Sequence, residues 1–164
     1  MIKRQAYLDK IIPFIDKNLI KVLTGVRRSG KTVLLTQIQD YLIESGIDKS
    51  QIIYISFESV MNEHLQDYHA LYDYLLAASK NINGKVYIFL DEIQAVASWE
   101  KVAASLLVDL DCDVYITGSN SKLLSGELAT LIAGRYVRIS VYPFVLSEAK
   151  QLLLQNGKAV SDEQ

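Results

Sequence analysis

Gly25-Val26-Arg27-Arg28-Ser29-Gly30-Lys31-Thr32 is the stretch whose reading decides the fold. It has the form G-x-x-x-x-G-K-[ST], and the apolar run 19–24 before it reads as the strand that feeds such a loop. Gly25 and Gly30 let the backbone curl so that its N–H groups point inward around an anion. Lys31 sets an ammonium among phosphate oxygens, Thr32 offers a hydroxyl to a magnesium ion, and a helix opening near Lys31 turns its positive end to the same anion. The expected phosphate-binding set is Gly25, Val26, Arg27, Arg28, Ser29, Gly30, Lys31, Thr32 and Val33. Within it, Arg27 and Arg28 read either as phosphate or neighbour contacts or as solvated loop arginines.

Outward from the loop, strand-like and helix-like segments alternate, which predicts an α/β domain with a mainly parallel sheet between helices. The strand candidates are 19–24, 51–57, 85–90, 113–117 and 136–141, near-continuous apolar runs of the kind buried on both faces. Helices are expected from Val33 to about Ser45 with Gly46 as the stop, around Leu71–Ala78, and from Trp99 to Leu110 with Ser98 as cap. A short N-terminal helix around Tyr7–Ile12 is disturbed by Pro13, and Ser147 caps a last helix. The domain is expected over 1–156. Residues 157–164 are expected to be a polar tail, disordered or cut from a longer protein.

Three further segments carry chemistry. Val86-Tyr87-Ile88-Phe89-Leu90 delivers Asp91 to the magnesium shell, and Glu92 directly after it is placed to polarise a water. Val114-Tyr115-Ile116-Thr117-Gly118 ends in Ser119 and Asn120, at the carboxyl end of a strand where sheets of this class bind ligands. Ser119 or Asn120 would contact the γ-phosphate or the water; the plainer reading makes them helix caps. Arg135 reads as an arginine finger, within the chain or toward a neighbour, or as an ordinary strand-edge arginine. Glu58 stands at the same sheet edge, Asp109, Asp111 and Asp113 read as a charged turn, and Tyr7 as packed helix or adenine neighbour.

Composition narrows the class. With 164 residues, half of them hydrophobic and two proline, the chain supports one cored domain. A net charge of −2 gives no indication of nucleic-acid binding by the domain. The lone Cys112 excludes an internal disulfide framework and fits a reducing compartment, so a cytoplasmic location is expected. Apolar runs of about five residues are far short of a membrane span.

Together the segments resemble the AAA-type (ASCE) P-loop ATPases, and more narrowly the N-terminal ATPase module of a prokaryotic family that carries a C-terminal domain of unknown function. Carrying the resemblance are 25–32, Phe89-Leu90-Asp91-Glu92-Ile93-Gln94, Thr117-Gly118-Ser119, 123–131, Gly134-Arg135 and Tyr142-Pro143-Phe144. It implies a five-stranded sheet of order 5-1-4-3-2 in a three-layer P-loop NTPase fold. Glu92 becomes the catalytic base, Ser119 (Asn120 as second choice) the γ-phosphate sensor, and Arg135 the finger. It also implies a C-terminal effector region beyond residue 164, and self-assembly through Arg135. The expected function is Mg²⁺-dependent ATP binding and hydrolysis, with Thr32 and Asp91 at the metal, weak in the isolated domain; the alternative is an ATP-gated binding switch with negligible turnover. A kinase is less well supported, since no acceptor site can be named. The absence of an Asn-Lys-x-Asp stretch argues against a GTPase.

Overall fold

The structure is a computed structural model that describes residues 3–119, 123, 132 and 134–143. Asn120, the Ser147 helix and the 156/157 boundary fall outside them. Five parallel strands form one sheet: β1 (Ile20–Thr24), β2 (Ile52–Ser56), β3 (Val86–Asp91), β4 (Cys112–Gly118) and β5 (Tyr136–Ser140). Their order is β2-β3-β4-β1-β5, the expected 5-1-4-3-2 read from the other edge. Parallel neighbours need crossovers. These are supplied by α2 (Lys31–Glu44) after β1, α3 (Tyr68–Ser79) after β2 and α4 (Trp99–Asp109) after β3. α1 (Gln5–Ile11) runs into a 3₁₀ turn with Pro13 inside it, Ile12–Phe14, and packs on α2.

Side chains alternate between two cores, as a period of two demands. Val22, Ile88, Leu90, Val114 and Ile116 face α3 and α4, packing with Leu71, Leu75, Trp99 and Leu106. Leu23, Tyr87, Phe89 and Tyr115 face α1 and α2, packing with Leu8, Leu34, Leu35 and Ile38. Phe89 and Tyr115 stack on this second face, ring centroids 4.6 Å apart and 6° from parallel. Burying each such aromatic or aliphatic side chain contributes about 1.5–3 kcal/mol.

Three expectations need correction. β1, β3 and β4 are buried throughout, but β2 and β5 are only partly so. They are the sheet's edges, and an apolar run does not record whether a second neighbour covers it. Ser98 precedes α4 but makes no side-chain cap bond, because it sits at φ 58°, outside the extended cap geometry. Asp113 lies inside β4, as the strand candidate 113–117 has it and not in the charged turn, wholly buried against Lys21 of β1, while Asp109 and Asp111 are exposed. Asp113 accepts bonds from the Lys21 ammonium, from Tyr115 Oη at 2.8 Å and from the Asp16 N–H at 3.0 Å. This polar knot marks the amino-terminal end of the strands.

Candidate functional site

At the opposite, carboxyl end, β1 turns into the loop 25–30. A Cβ on Gly25 would lie 2.2 Å from Val141 O, so only glycine lets the loop pass β5 that closely. Gly30, at φ +89°, hands the chain directly to Lys31, the first residue of α2, and no side chain caps that helix. Its first-turn N–H groups are thereby left for an anion.

The side chains behind the loop form one connected network. Thr32 Oγ1 donates to Asp91 Oδ2 at 2.8 Å, and Tyr54 Oη donates to the same oxygen at 3.0 Å. The other oxygen, Oδ1, accepts from Thr117 Oγ1 at 2.5 Å. Thr117 Oγ1 in turn accepts the Glu92 N–H at 2.9 Å. That bond helps to hold Glu92 in the left-handed region, φ 58° and ψ 47°, a conformation unusual for a glutamate. The Glu92 carboxylate meets Lys31 Nζ at 3.3 Å and accepts a bond from the Gln94 amide. Lys31 Nζ also rests on the carbonyls of Gly25 and Val26, each at 3.2 Å.

The cleft above this network has two adjoining lobes. One, of about 330 Å³, is lined by Arg27, Lys31, Phe57, Glu58, Glu92, Gln94, Ala95 and Ser119. The other, of about 410 Å³, is lined by Arg27, Arg28, Gly30, Lys31, Thr32, Val33, Glu58 and Glu92. Among the described residues, two buried side-chain polar atoms lack a partner, Ser29 Oγ and Gln94 Oε1. The first belongs to the loop and the second to a residue lining the cleft.

The structure thus brings together Gly25, Lys31, Thr32, Asp91, Glu92 and Ser119, with Arg27 facing both lobes. It does not bring Arg135 to them. Arg135 is exposed, and its carbonyl accepts the N–H of Ile20, at the far end of β1 from the loop.

Sequence reasoning gave no role to Tyr54, Gln94 or Arg4, and read Thr117 only as part of a strand end. Partial burial, and after it the Asp91 carboxylate, push the Tyr54 phenol up to about 12, so it stays a donor at neutral pH. Arg4 is 1% exposed. Its guanidinium donates to Ser29 O at 2.8 Å and Tyr142 O at 2.7 Å, and it lies 4.4 Å over the Tyr7 ring. Its backbone N–H bonds Gln37 Oε1 at 2.9 Å. Tyr7 is accordingly packed structure, its hydroxyl accepting the Tyr142 N–H at 3.0 Å. The signal for Arg4 was there but faint: one arginine immediately ahead of a helix that otherwise presents an apolar stripe.

The sequence profile of the AAA domain family matches residues 17–150. The chain belongs to the AAA domain family. Relatives include an uncharacterized protein of Haemophilus influenzae, 45% identical over 148 residues, covering 90% of this chain and 37% of that protein. Another, from Methanocaldococcus jannaschii, is 38% identical over 141 residues, covering 85% of this chain and 29% of that protein. The chain therefore spans about a third of the length of these relatives. Among solved structures, AMPPCP-bound DnaA from Aquifex aeolicus superposes with a TM-score of 0.62 at 18% identity, covering 97% of this chain and 53% of that one. A Thermotoga maritima RuvB variant gives 0.61 at 16% identity, covering 93% and 49%. At such identities the likeness is one of fold: an AAA-type P-loop module with a five-stranded parallel sheet. Among the described residues no helix is long and apolar enough to cross a membrane.

Proposed function

We propose that this AAA domain binds ATP with Mg²⁺ in the cleft between loop 25–30 and the ends of β3 and β4, and hydrolyses its β–γ bond. The observation that carries the reading is the unbroken chain Thr32–Asp91–Thr117–Glu92, which closes on Lys31. It joins a hydroxyl and a carboxylate suited to a hard cation to a second carboxylate at the position of a general base.

Among the described residues there is no group of three or more His, Cys, Asp or Glu able to hold a metal. Mg²⁺ does not need one. It is commonly held by one or two protein oxygens together with substrate phosphates, and Thr32 and Asp91 fit that pattern. The cation would neutralise charge on the phosphates.

The chain's own residues divide the remaining work. The loop N–H groups and Lys31 hold the phosphates, and Ser119 stands at the γ-phosphate end of the cleft. Glu92 takes a proton from water as the water oxygen bonds to the γ-phosphorus and the bond to the β–γ bridging oxygen breaks, giving ADP and phosphate. Phosphate oxygens compete with the Glu92 carboxylate for the Lys31 ammonium, which stands 3.3 Å from it, so binding would release that carboxylate to face the attacking water. Charge compensation from Arg135 would have to come from a second copy, since within one chain it stands at the other end of β1.

The second reading is a nucleotide-gated switch with negligible turnover. It is favoured by that same separation of Arg135 and by the parking of Lys31 on Glu92. Glu92→Gln separates the two. Fluorescent-nucleotide titration should show binding within about threefold of wild type, while phosphate release falls at least a hundredfold. Equal, very slow release from both proteins removes the hydrolytic reading and leaves the switch.

A further inference from the structure

We propose that Tyr54 is a positioning residue of the metal site, its hydroxyl holding the Asp91 oxygen that Thr32 also addresses. The inference rests on the Mg·ATP reading above and adds a residue to it. Three donors divide the two oxygens of a carboxylate that is 1% exposed. Thr117, from the neighbouring β4, holds Oδ1, while Thr32 and Tyr54 converge on Oδ2. Thr32 belongs to the phosphate loop's helix, so Oδ2 is the oxygen turned to the nucleotide side. Tyr54 reaches it from the edge strand, across the β2–β3 pairing in which Ser56 faces Asp91.

The edge position of β2 makes this possible. Tyr54 is 43% exposed, so its ring stands partly in solvent while its hydroxyl reaches the buried carboxylate. A tyrosine with no task there would be expected to leave its hydroxyl in water, because an edge strand can hydrate it at no cost. Here it spends that hydroxyl on a carboxylate that already has two donors. A carboxylate that must orient a cation's water shell gains from having both oxygens fixed, since outer partners set the direction in which its lone pairs point. Tyr54 fixes the one oxygen that would otherwise swing with Thr32 as the phosphate loop adjusts to ligand.

Two titrations of Tyr54→Phe test this, because phenylalanine keeps the ring and removes only the donor. The first follows Mn²⁺ binding by electron paramagnetic resonance with a non-hydrolysable ATP analogue present. The second follows binding of a fluorescent ATP analogue in excess EDTA. The expected result is a threefold to tenfold weaker Mn²⁺ affinity, with metal-free nucleotide affinity and thermal midpoint unchanged. A purely structural tyrosine would not split the two titrations in this way. Equal Mn²⁺ affinities overturn the inference while leaving the ATP reading intact. Parallel loss of metal-free nucleotide affinity also overturns it, by making Tyr54 a general wall of the cleft. A wild-type protein that binds neither metal nor nucleotide overturns the Mg·ATP reading, and the inference falls with it.

Discussion

Replacing Asp113 by alanine removes the counter-charge of an ammonium that has no access to water, since both side chains of the Lys21–Asp113 pair are 0% exposed. Lys21 keeps a bond to the Lys17 carbonyl at 2.9 Å, and Tyr115 and the Asp16 N–H lose their acceptor. Breaking one side of a buried pair costs about 3–5 kcal/mol, against about 5–15 kcal/mol of total stability for a domain. At about 2–4 °C per kcal/mol for a chain of this size, the thermal midpoint should fall by about 6–20 °C. Lys21→Met should cost less, because Asp113 still accepts from Tyr115 and Asp16. Lys21→Met with Asp113→Ala should cost less than the two singles added together, by at least about 1 kcal/mol. Burial already holds the Lys21 ammonium below its ordinary value, and Asp113 is the largest influence raising it. Without Asp113 that value drops further. A lowered folded-state value costs stability below itself and relieves the cost as pH rises through it, so the deficit of Asp113→Ala should shrink between neutral pH and pH 10. Urea denaturation followed by circular dichroism across that range measures all of this. An Asp113→Ala loss under about 1 kcal/mol, or an additive double mutant, would refute the reasoning. Nucleotide affinity of the folded variant should stay within about twofold of wild type, since the knot and the cleft occupy opposite ends of the sheet.

Two further outcomes follow from the same contacts. Thr117→Val keeps the shape but removes the bond to Asp91 and orphans the Glu92 N–H, which should cost about 2–4 kcal/mol in urea denaturation and lower phosphate release at least tenfold. Thr117→Ser should recover most of both, and a valine variant with wild-type release would show that Glu92 holds its conformation unaided. Alkaline pH should destabilise the protein: burial, then Asp113 and Asp111, push the Cys112 thiol up to about 12, and burial also raises Tyr87 and Tyr115. The folded state keeps these protons where the unfolded chain releases them, so stability falls as pH rises above about 9, by about 1.4 kcal/mol per pH unit for each group engaged. Lys21 acts in the opposite sense below 10.5 and offsets part of the loss. Urea midpoints that stay flat or rise from pH 8.5 to 10.5 would contradict this, and Cys112→Val should soften the fall.

The parts legible in the sequence were those whose chemistry is local. The phosphate loop, the strand ending in Asp91-Glu92 and the strand ending at Ser119 each declare themselves within about eight residues, and the five strands were located to within a residue or two at most ends. The order of the sheet came from resemblance and not from any local pattern. What stayed hidden depends on pairing across the fold. Tyr54 reads as one more aromatic in an apolar strand, and its task exists only because β2 lies beside β3 at an edge. Asp113 sits in a run of alternating aspartates that looks like a solvated turn. Nothing local reveals that its face of β4 meets a lysine from β1.

Arg4 carries a consequence of another kind. One guanidinium grips the carbonyl of Ser29 in the loop and that of Tyr142, which lies 138 residues beyond Arg4 itself. A planar fork buried to 1% has little freedom to follow one partner without moving the other. The exit of the chain from β5 and the loop are therefore tied to one side chain. Work exchanged through such a tie is reciprocal: if a ligand in the loop restrains Tyr142 by some factor, a hold on Tyr142 tightens the ligand by the same factor. Whatever grips the chain after β5 would then act on nucleotide affinity without touching the nucleotide.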